Sequence, residues 1–242
     1  MRLRIPDLAT QRTFWNRWNK RVRENREVDV ISQARGAFVL DALQRYAPKP
    51  ATIADLGCGT GWLSAALAEH GEVTAVDLAD EVVARAQQRH PEVRFIAGDL
   101  TSMTLPDAPY HVVVCVETLS HVPDQATFVA RIADWLLPGG LLILTTQNRR
   151  VFSRTSGVTP LQVGQIRHWL TPPELRRLLA RSFDIEQFTT MLPEGDRGFL
   201  RVVNSTKVNR LLQLVWAEET IQAAKERAGL GQSIAVVARR RS

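Results

Sequence analysis

The densest chemical signal in the sequence is a glycine run flanked by acids. Ala54-Asp55-Leu56-Gly57-Cys58-Gly59-Thr60-Gly61 joins the end of an apolar run to the start of a helical pattern. Glycines at such a junction permit a tight turn and let a ligand approach the backbone closely. Asp77 closes the next apolar run, 22 residues after Asp55, where a carboxylate can accept both hydroxyls of a ribose. Asp99, in Gly98-Asp99-Leu100, closes the third and is placed to meet an adenine amino group. Acids at the carboxyl ends of successive strands converge on one crevice, so the chemistry implied is the holding of a nucleoside. An acid two residues before the first glycine would sit poorly beside a pyrophosphate and suits a cation.

Those residues need a scaffold of alternating strands and helices. Strands are predicted over 51–56, 72–77, 93–97, 111–116 and 141–146, and two more near 183–190 and 233–238. The first five are almost wholly apolar, as strands covered on both faces are. Helical patterns fill 61–69, 80–89, 124–137 and 172–181. Asp80 and Asp124 stand where N-caps are expected, and Pro138-Gly139-Gly140 is expected to stop a helix before the fifth strand. The alternation predicts a parallel sheet of βαβ units. Residues 8–46 read as one or two amphipathic helices ahead of the sheet, so 1–50 are expected to form a helical cap on a domain spanning 51–242. Residues 191–231 interrupt the last two strands with a Gly-rich turn and a helix near 205–228. Both additions are candidate lids.

Composition narrows the classes. The chain has 242 residues, 45% hydrophobic and 23% charged, which suits one folded α/β domain. Two cysteines, Cys58 and Cys115, exclude a disulfide scaffold and cannot alone supply a structural zinc site. No apolar run approaches a membrane span, and MRLRIPDLATQR lacks the apolar core of a signal peptide, so a cytoplasmic setting is expected. The net charge of +6 arises entirely in residues 1–50, which hold eleven Lys and Arg against five Asp and Glu. Such an arm can meet nucleic acid, an anionic surface or an acidic substrate, or it can be a solvated helix face.

ADLGCGTG, followed by Asp77 and Gly98-Asp99 at these spacings, resembles the class I S-adenosylmethionine-dependent methyltransferases. VVVCVETLSHVPD and LLPGGLLILTT resemble that family's later strand motifs, so the likeness runs over residues 51–146. It implies a Rossmann-like, mostly parallel sheet of seven strands with the last inserted antiparallel. It also implies S-adenosylmethionine as cofactor, with S-adenosylhomocysteine as its product. By the same carry-over Gly57, Cys58 and Gly59 contact the methionine part, beside Asp55. Asp77 and Leu78 meet the ribose, Asp99 and Leu100 the adenine, and Val116 lines the cofactor. Arg35 stands where such enzymes can place an arginine on the cofactor carboxylate. A nicotinamide-binding domain is the nearest rival, but its fingerprint is GxGxxG and this loop reads GxGxG.

Glu117-Thr118-Leu119-Ser120-His121-Val122-Pro123-Asp124 is similar to the LEHV-P-D segment of quinone-biosynthesis methyltransferases. Ser120 replaces the family's glutamate, so the metal site that some relatives build there is not carried over and no metal is expected. Methyl transfer is an in-line displacement in which holding the partners in line is the main task. A base is needed when the acceptor holds its proton near neutrality, and His121 and His168 are the candidates. Trp15 and Trp18 lie on one helix face and either dock that helix or wall the substrate pocket, with Arg17, Arg21 or Arg35 meeting an anion. Arg149, Arg150 and Arg154 either bind a substrate anion or are solvated. The expected acceptor is a small molecule, anionic acceptors included, methylated on an oxygen of a sugar, phenol or natural-product intermediate. A homodimer is among the expected assemblies, and nucleic acid is not an expected partner. The alternatives are an RNA or protein methyltransferase using the basic arm, and a non-catalytic nucleoside-binding module. Base-amine chemistry is disfavoured, because Cys115-Val116-Glu117-Thr118 stands where an Asp/Asn-Pro-Pro-aromatic motif would be.

Overall fold

A computed structural model describes residues 5–24 and 26–241; the first four residues of the expected cap, Asn25 and Ser242 lie outside the described residues. Seven strands form one sheet: β1 (Ala51–Leu56), β2 (Gly71–Asp77), β3 (Arg94–Ala97), β4 (Tyr110–Val116), β5 (Leu136–Gln147), β6 (Phe183–Pro193) and β7 (Gly231–Arg240), in the order β3-β2-β1-β4-β5-β7-β6. β1 to β5 pair in parallel, and β7 runs antiparallel to both β5 and β6. The single inverted strand is the one the resemblance implied.

Alternation along the strands feeds two cores. Val113, Cys115, Leu142, Leu144 and Val236 face α5 (Gln125–Asp134) and α7 (Pro172–Leu179) through Phe128, Ile132, Leu175 and Leu179. Val112, Val114, Leu141, Ile143 and Val237 face α2 (Val30–Tyr46) and α3 (Trp62–Leu67) through Val39, Leu43, Leu63 and Leu67. This period-two division is why five strands read as continuous apolar runs. The chain leaves β1 toward β2 on one side, while β4 lies on the other. The crevice at the carboxyl ends of β1 and β4 is therefore the topological switch point, where ligands bind in open α/β sheets.

The N-terminal segment forms two helices, α1 (Leu8–Val22) and α2, opened by Asp7 and Asp29 accepting from the Thr10 and Ser32 amides. Only α1 behaves as an appendage, since Val39 and Leu43 of α2 belong to the core. α1 is tied down by Asn16 Nδ2 donating to Asp80 Oδ1 at 2.8 Å. Gly164, at φ +89°, lets a loop approach α1 where a Cβ would fall 2.6 Å from the Thr10 carbonyl oxygen.

Three local expectations change. α4 (Asp80–Arg89) begins after Ala79, so Asp80 is its first residue and its carboxylate serves Asn16 instead of capping. α5 ends at Asp134, and Leu136 already pairs with Tyr110, so Pro138-Gly139-Gly140 is a bulge inside β5. The helix expected near 205–228 is two, α9 (Thr206–Leu212), whose N-cap Ser205 accepts from the Val208 amide, and α10 (Glu218–Arg227), with a short α8 (Phe199–Val203) ahead of them.

Candidate functional site

A cavity of about 260 Å³ opens at the switch point. Asp55, Gly57, Cys58, Gly59, Asp77, Leu78, Asp99, Leu100, Val116, Arg35 and His121 all line it. His168 does not: its ring is exposed, and only its backbone is engaged, the amide donating to the Ser120 carbonyl at 2.8 Å. The structure thus places His168 outside the cavity that His121 lines. The insertion expected at 191–231 contributes nothing to the wall, which is closed instead by α1 through Trp15, Trp18 and Asn19, and by Gln165 of the loop before α7. Arg149, opening the short α6 (Arg149–Phe152), and Arg154 just after it also lie elsewhere, the first on Glu174 at 2.6 Å and the second over the Phe199 ring. Arg17 and Arg21 line a separate groove on the outer side of α1.

The glycine loop is tightly bonded, and four of its amides are spent. The Gly57 and Cys58 amides both donate to the Val76 carbonyl, at 2.7 and 3.1 Å, and the Gly61 amide donates to the Cys58 carbonyl. The Gly59 amide donates to Asp77 Oδ2 at 2.9 Å. A phosphate-binding loop needs such donors free, so this turn is not built for a pyrophosphate. Gly57 sits at φ +80°, and a Cβ there would lie 1.9 Å from Thr118 Oγ1. The loop and the turn after β4 are that closely packed, with the Thr118 hydroxyl donating to the Leu56 carbonyl at 2.9 Å.

Carboxylates dominate the electrostatics. Burial pushes the Asp55 carboxyl up to about 6, opposed by the Ser64 hydroxyl donating to Oδ2 at 2.6 Å and reinforced by the charge of Asp77. Burial likewise raises Asp77, against the amides of Ala79 and Gly59 that donate to it. Asp99 differs. Burial pushes it up, but the Thr101 amide and hydroxyl and the Ser102 hydroxyl outweigh that and hold it below its ordinary range. Its oxygens organise their own turn as well as facing the cavity.

Sequence reasoning left one acid out of the site. Glu117 ends β4 as Asp55, Asp77 and Asp99 end β1 to β3, so the signal that found those three would have found it. Its backbone is held at φ +58°, a rare conformation for a side-chain-bearing residue and one that clusters at functional sites. Oε1 lies 3.1 Å from Arg35 Nε and accepts from Thr145 Oγ1 at 2.9 Å. Arg35 in turn donates to Ser233 Oγ from Nε and Nη2, at 2.9 and 2.7 Å. Glu117 Oε2 is buried with no hydrogen-bond partner. Such an orphaned acceptor in a cavity ringed by acids fits a ligand that brings a positive charge or N–H donors.

His121 is the polar group facing α1. Its Nδ1 lies 2.7 Å from the Ile166 carbonyl oxygen. A carbonyl only accepts, so Nδ1 carries the proton and Nε2 keeps its lone pair. Burial lowers the imidazole to about 4, opposed by the Ile166 contact and helped by the nearby Arg167 charge. The ring is neutral at physiological pH. Trp15 stands edge-on to it with ring centroids 4.6 Å apart, and Trp18 stands edge-on to Trp15 in turn, 5.7 Å between centroids. The two tryptophans therefore form part of the cavity wall as well as docking α1.

Comparison with known proteins agrees with this architecture. Residues 53–140 match the model of a methyltransferase domain. Over 190 residues the chain is 32% identical to a ubiquinone biosynthesis O-methyltransferase of Xylella fastidiosa (strain 9a5c), covering 71% of this chain and 77% of that one. The fold is shared with the N-methyltransferase NodS of Bradyrhizobium japonicum WM9, solved with S-adenosyl-L-homocysteine (TM-score 0.63, 14% identity, 96% of this chain and 100% of that one). It is also shared with the Burkholderia thailandensis 1,6-didemethyltoxoflavin-N1-methyltransferase, solved with its namesake ligand and S-adenosylhomocysteine (TM-score 0.64, 22% identity, 97% and 88%).

Proposed function

The chain belongs to the class I S-adenosylmethionine-dependent methyltransferases of the quinone-biosynthesis type, and from that premise we propose that it methylates a phenolic hydroxyl of a small molecule, with His121 as the proton acceptor. The observation that carries this is the neutral His121 imidazole, anchored through Nδ1 and facing Trp15 inside the cavity.

When bound, S-adenosylmethionine supplies an electrophilic methyl group on a sulfonium. Asp77 would hold the ribose, Asp99 with Leu100 the adenine edge, and Leu78 and Val116 the apolar surface between them. Asp55 and the orphaned Glu117 Oε2 would face the positively charged end, and Arg35, already set by Glu117 and Ser233, would meet its carboxylate. Spent loop amides and a surplus of acids support a cationic ligand of this kind.

The acceptor side follows from the aromatic wall and the base. A flat ring matches the faces of Trp15 and Trp18. Once positioned, the acceptor hydroxyl loses its proton as its oxygen gains the methyl group, and His121 Nε2 is free to take it. An imidazole lowered to about 4 holds that proton weakly, so it serves a phenol, with a pKa near 10, far better than an aliphatic sugar hydroxyl. The relative named as an O-methyltransferase of ubiquinone biosynthesis supports an oxygen acceptor. α1 lies over the cavity, which supports an acceptor small enough to enter whole and weighs against a polymer lying across that edge.

Incubating the protein with S-adenosylmethionine and paired panels of catechols and sugars, and identifying products by mass, tests the proposal. Methylated catechols are expected, and His121→Gln is expected to lower kcat on the order of a hundredfold while leaving S-adenosylhomocysteine affinity within a few-fold. Turnover of sugars in preference to phenols, or undiminished kcat in His121→Gln, would refute it.

A further inference from the structure

The outer side of α1 faces a second cavity. A groove of about 680 Å³ runs between α1 and the loop at Gln162 and Val163, a size within the range of small-molecule sites. Its floor is aromatic, from the buried Phe14 and the half-buried Trp18. Its rim carries the exposed Arg17 and Arg21 guanidiniums, the Thr13 hydroxyl and Val163, and no acid lines it. The walls are held in place. Gly164, at φ +89°, seats the loop against the Thr10 carbonyl. Arg167 braces the loop by donating to the Thr159 carbonyl at 2.8 Å and to Gln165 Oε1 at 2.9 Å. On the other side of α1, Asn16 fastens the helix to Asp80.

Charge sets what such a groove accepts. α1 holds Arg12, Arg17, Lys20 and Arg21 and no acidic residue. The acids at its ends and beneath it are engaged elsewhere: Asp7 with Thr10, Glu24 with Arg85, Asp29 with Arg23 and Ser32, and Asp80 with Arg12 and Asn16. Among the described residues Arg17 and Arg21 therefore stand without an ion pair, one helical turn apart. Like charges at that spacing repel, and an anion between them relieves the repulsion through charge-assisted hydrogen bonds. Aromatic faces beneath the cations add a preference for a flat ring over an inorganic ion. We propose that this groove binds a planar aromatic carboxylate or sulfonate, and that its occupancy is felt at His121. The link is Trp18, which lines both the groove and the catalytic cavity. Its ring is edge-on to Trp15 at 5.7 Å, and Trp15 is edge-on to His121 at 4.6 Å. A ligand seated on the outer side of Trp18 packs against the same row of rings that walls the acceptor site.

The groove is independent of the acceptor assignment, and its probe is cinnamate, an aromatic acid with no hydroxyl to methylate. Calorimetry of the full chain saturated with S-adenosylhomocysteine is expected to show cinnamate binding, with the neutral cinnamamide at least tenfold weaker. Arg17→Gln with Arg21→Gln is expected to weaken cinnamate more than tenfold, and Val163→Glu, which sets an acid on the rim, to do the same. All three positions are exposed, so S-adenosylhomocysteine affinity stays at the wild-type value and reports that each variant is folded. The His121 ring resonance, identified by its loss in His121→Gln, is expected to shift as cinnamate fills the wild-type groove and to stay fixed in the double variant. No binding of cinnamate, equal binding of cinnamamide, or folded variants that bind as the wild type does would overturn the site, the last by placing the probe in the catalytic cavity. Displacement of cinnamate by an equal concentration of inorganic phosphate would overturn the aromatic preference. A filled groove with a stationary His121 resonance would overturn the link through Trp18.

Discussion

Replacing Asp55 by Asn separates what the acid costs the fold from what it gives the ligand. Its carboxyl is buried with Ser64 as its hydroxyl donor and rises to about 6 in the folded protein, against about 3.9 in an unfolded chain. The folded state therefore binds this proton more tightly than the unfolded state does. By linkage, the native state is at its best relative to this group below about pH 4, loses stability as pH rises toward 6, and is level above that. About two pKa units amount to about 3 kcal/mol. Asparagine keeps the shape, keeps an acceptor for the Ser64 hydroxyl and carries no charge. Asp55→Asn is thus expected to be more stable than the wild type by about 3 kcal/mol at pH 8 and equal to it near pH 3.5, in guanidinium unfolding followed by circular dichroism. Its affinity for S-adenosylhomocysteine, by calorimetry, is expected to fall about tenfold, because the carboxylate proposed to face the ligand's ammonium is gone. A variant destabilised at pH 8, or one whose stability difference is the same at both pH values, would refute the buried-charge reasoning. Stability gained with no loss of affinity would refute the ligand assignment alone.

Asp77→Ala removes the acceptor of the Gly59 and Ala79 amides as well as the proposed ribose contact; calorimetry is expected to show S-adenosylhomocysteine binding weakened by well over tenfold. Gly57→Ala forces a Cβ into Thr118 at a left-handed backbone position, expected to cost about 3 kcal/mol from strain and the displaced Thr118 hydrogen bond. Adding Thr118→Gly should recover part of that loss in denaturant unfolding. Removing residues 1–23 strips α1 and the Trp15 and Trp18 wall but spares the core residues of α2. Turnover is expected to vanish with S-adenosylhomocysteine affinity kept within about tenfold, whereas normal turnover would make α1 a recruiting arm.

The glycine turn, the inverted last strand implied by the family likeness, and the acids at the ends of β1 to β3 were legible in the sequence. Each rests on short-range rules: a left-handed turn wants glycine, a strand covered on both faces is apolar throughout, and a strand end meets the crevice. The same rules reached His121 but could not separate it from His168, three residues before the capped start of α7 and equally suited by type. What separates them is which ring turns inward once the loop carrying Ile166 has packed on α1.

Only the tertiary structure decided the rest. Arg35, Glu117, Thr145 and Ser233 meet from four separate elements, and no local periodicity records a contact spanning 198 residues. Trp15 became a wall of the cavity because Asn16 fastened α1 to Asp80, a pairing fixed by how two helices dock and invisible in either one. The late insertion, rich in Gly and polar residues, looked like a cover, yet β7 carries it to the flank, since the position of its strands in the sheet sets where it emerges. Spacing along a chain specifies which groups can do chemistry; the packing of distant segments determines which of them share a cavity.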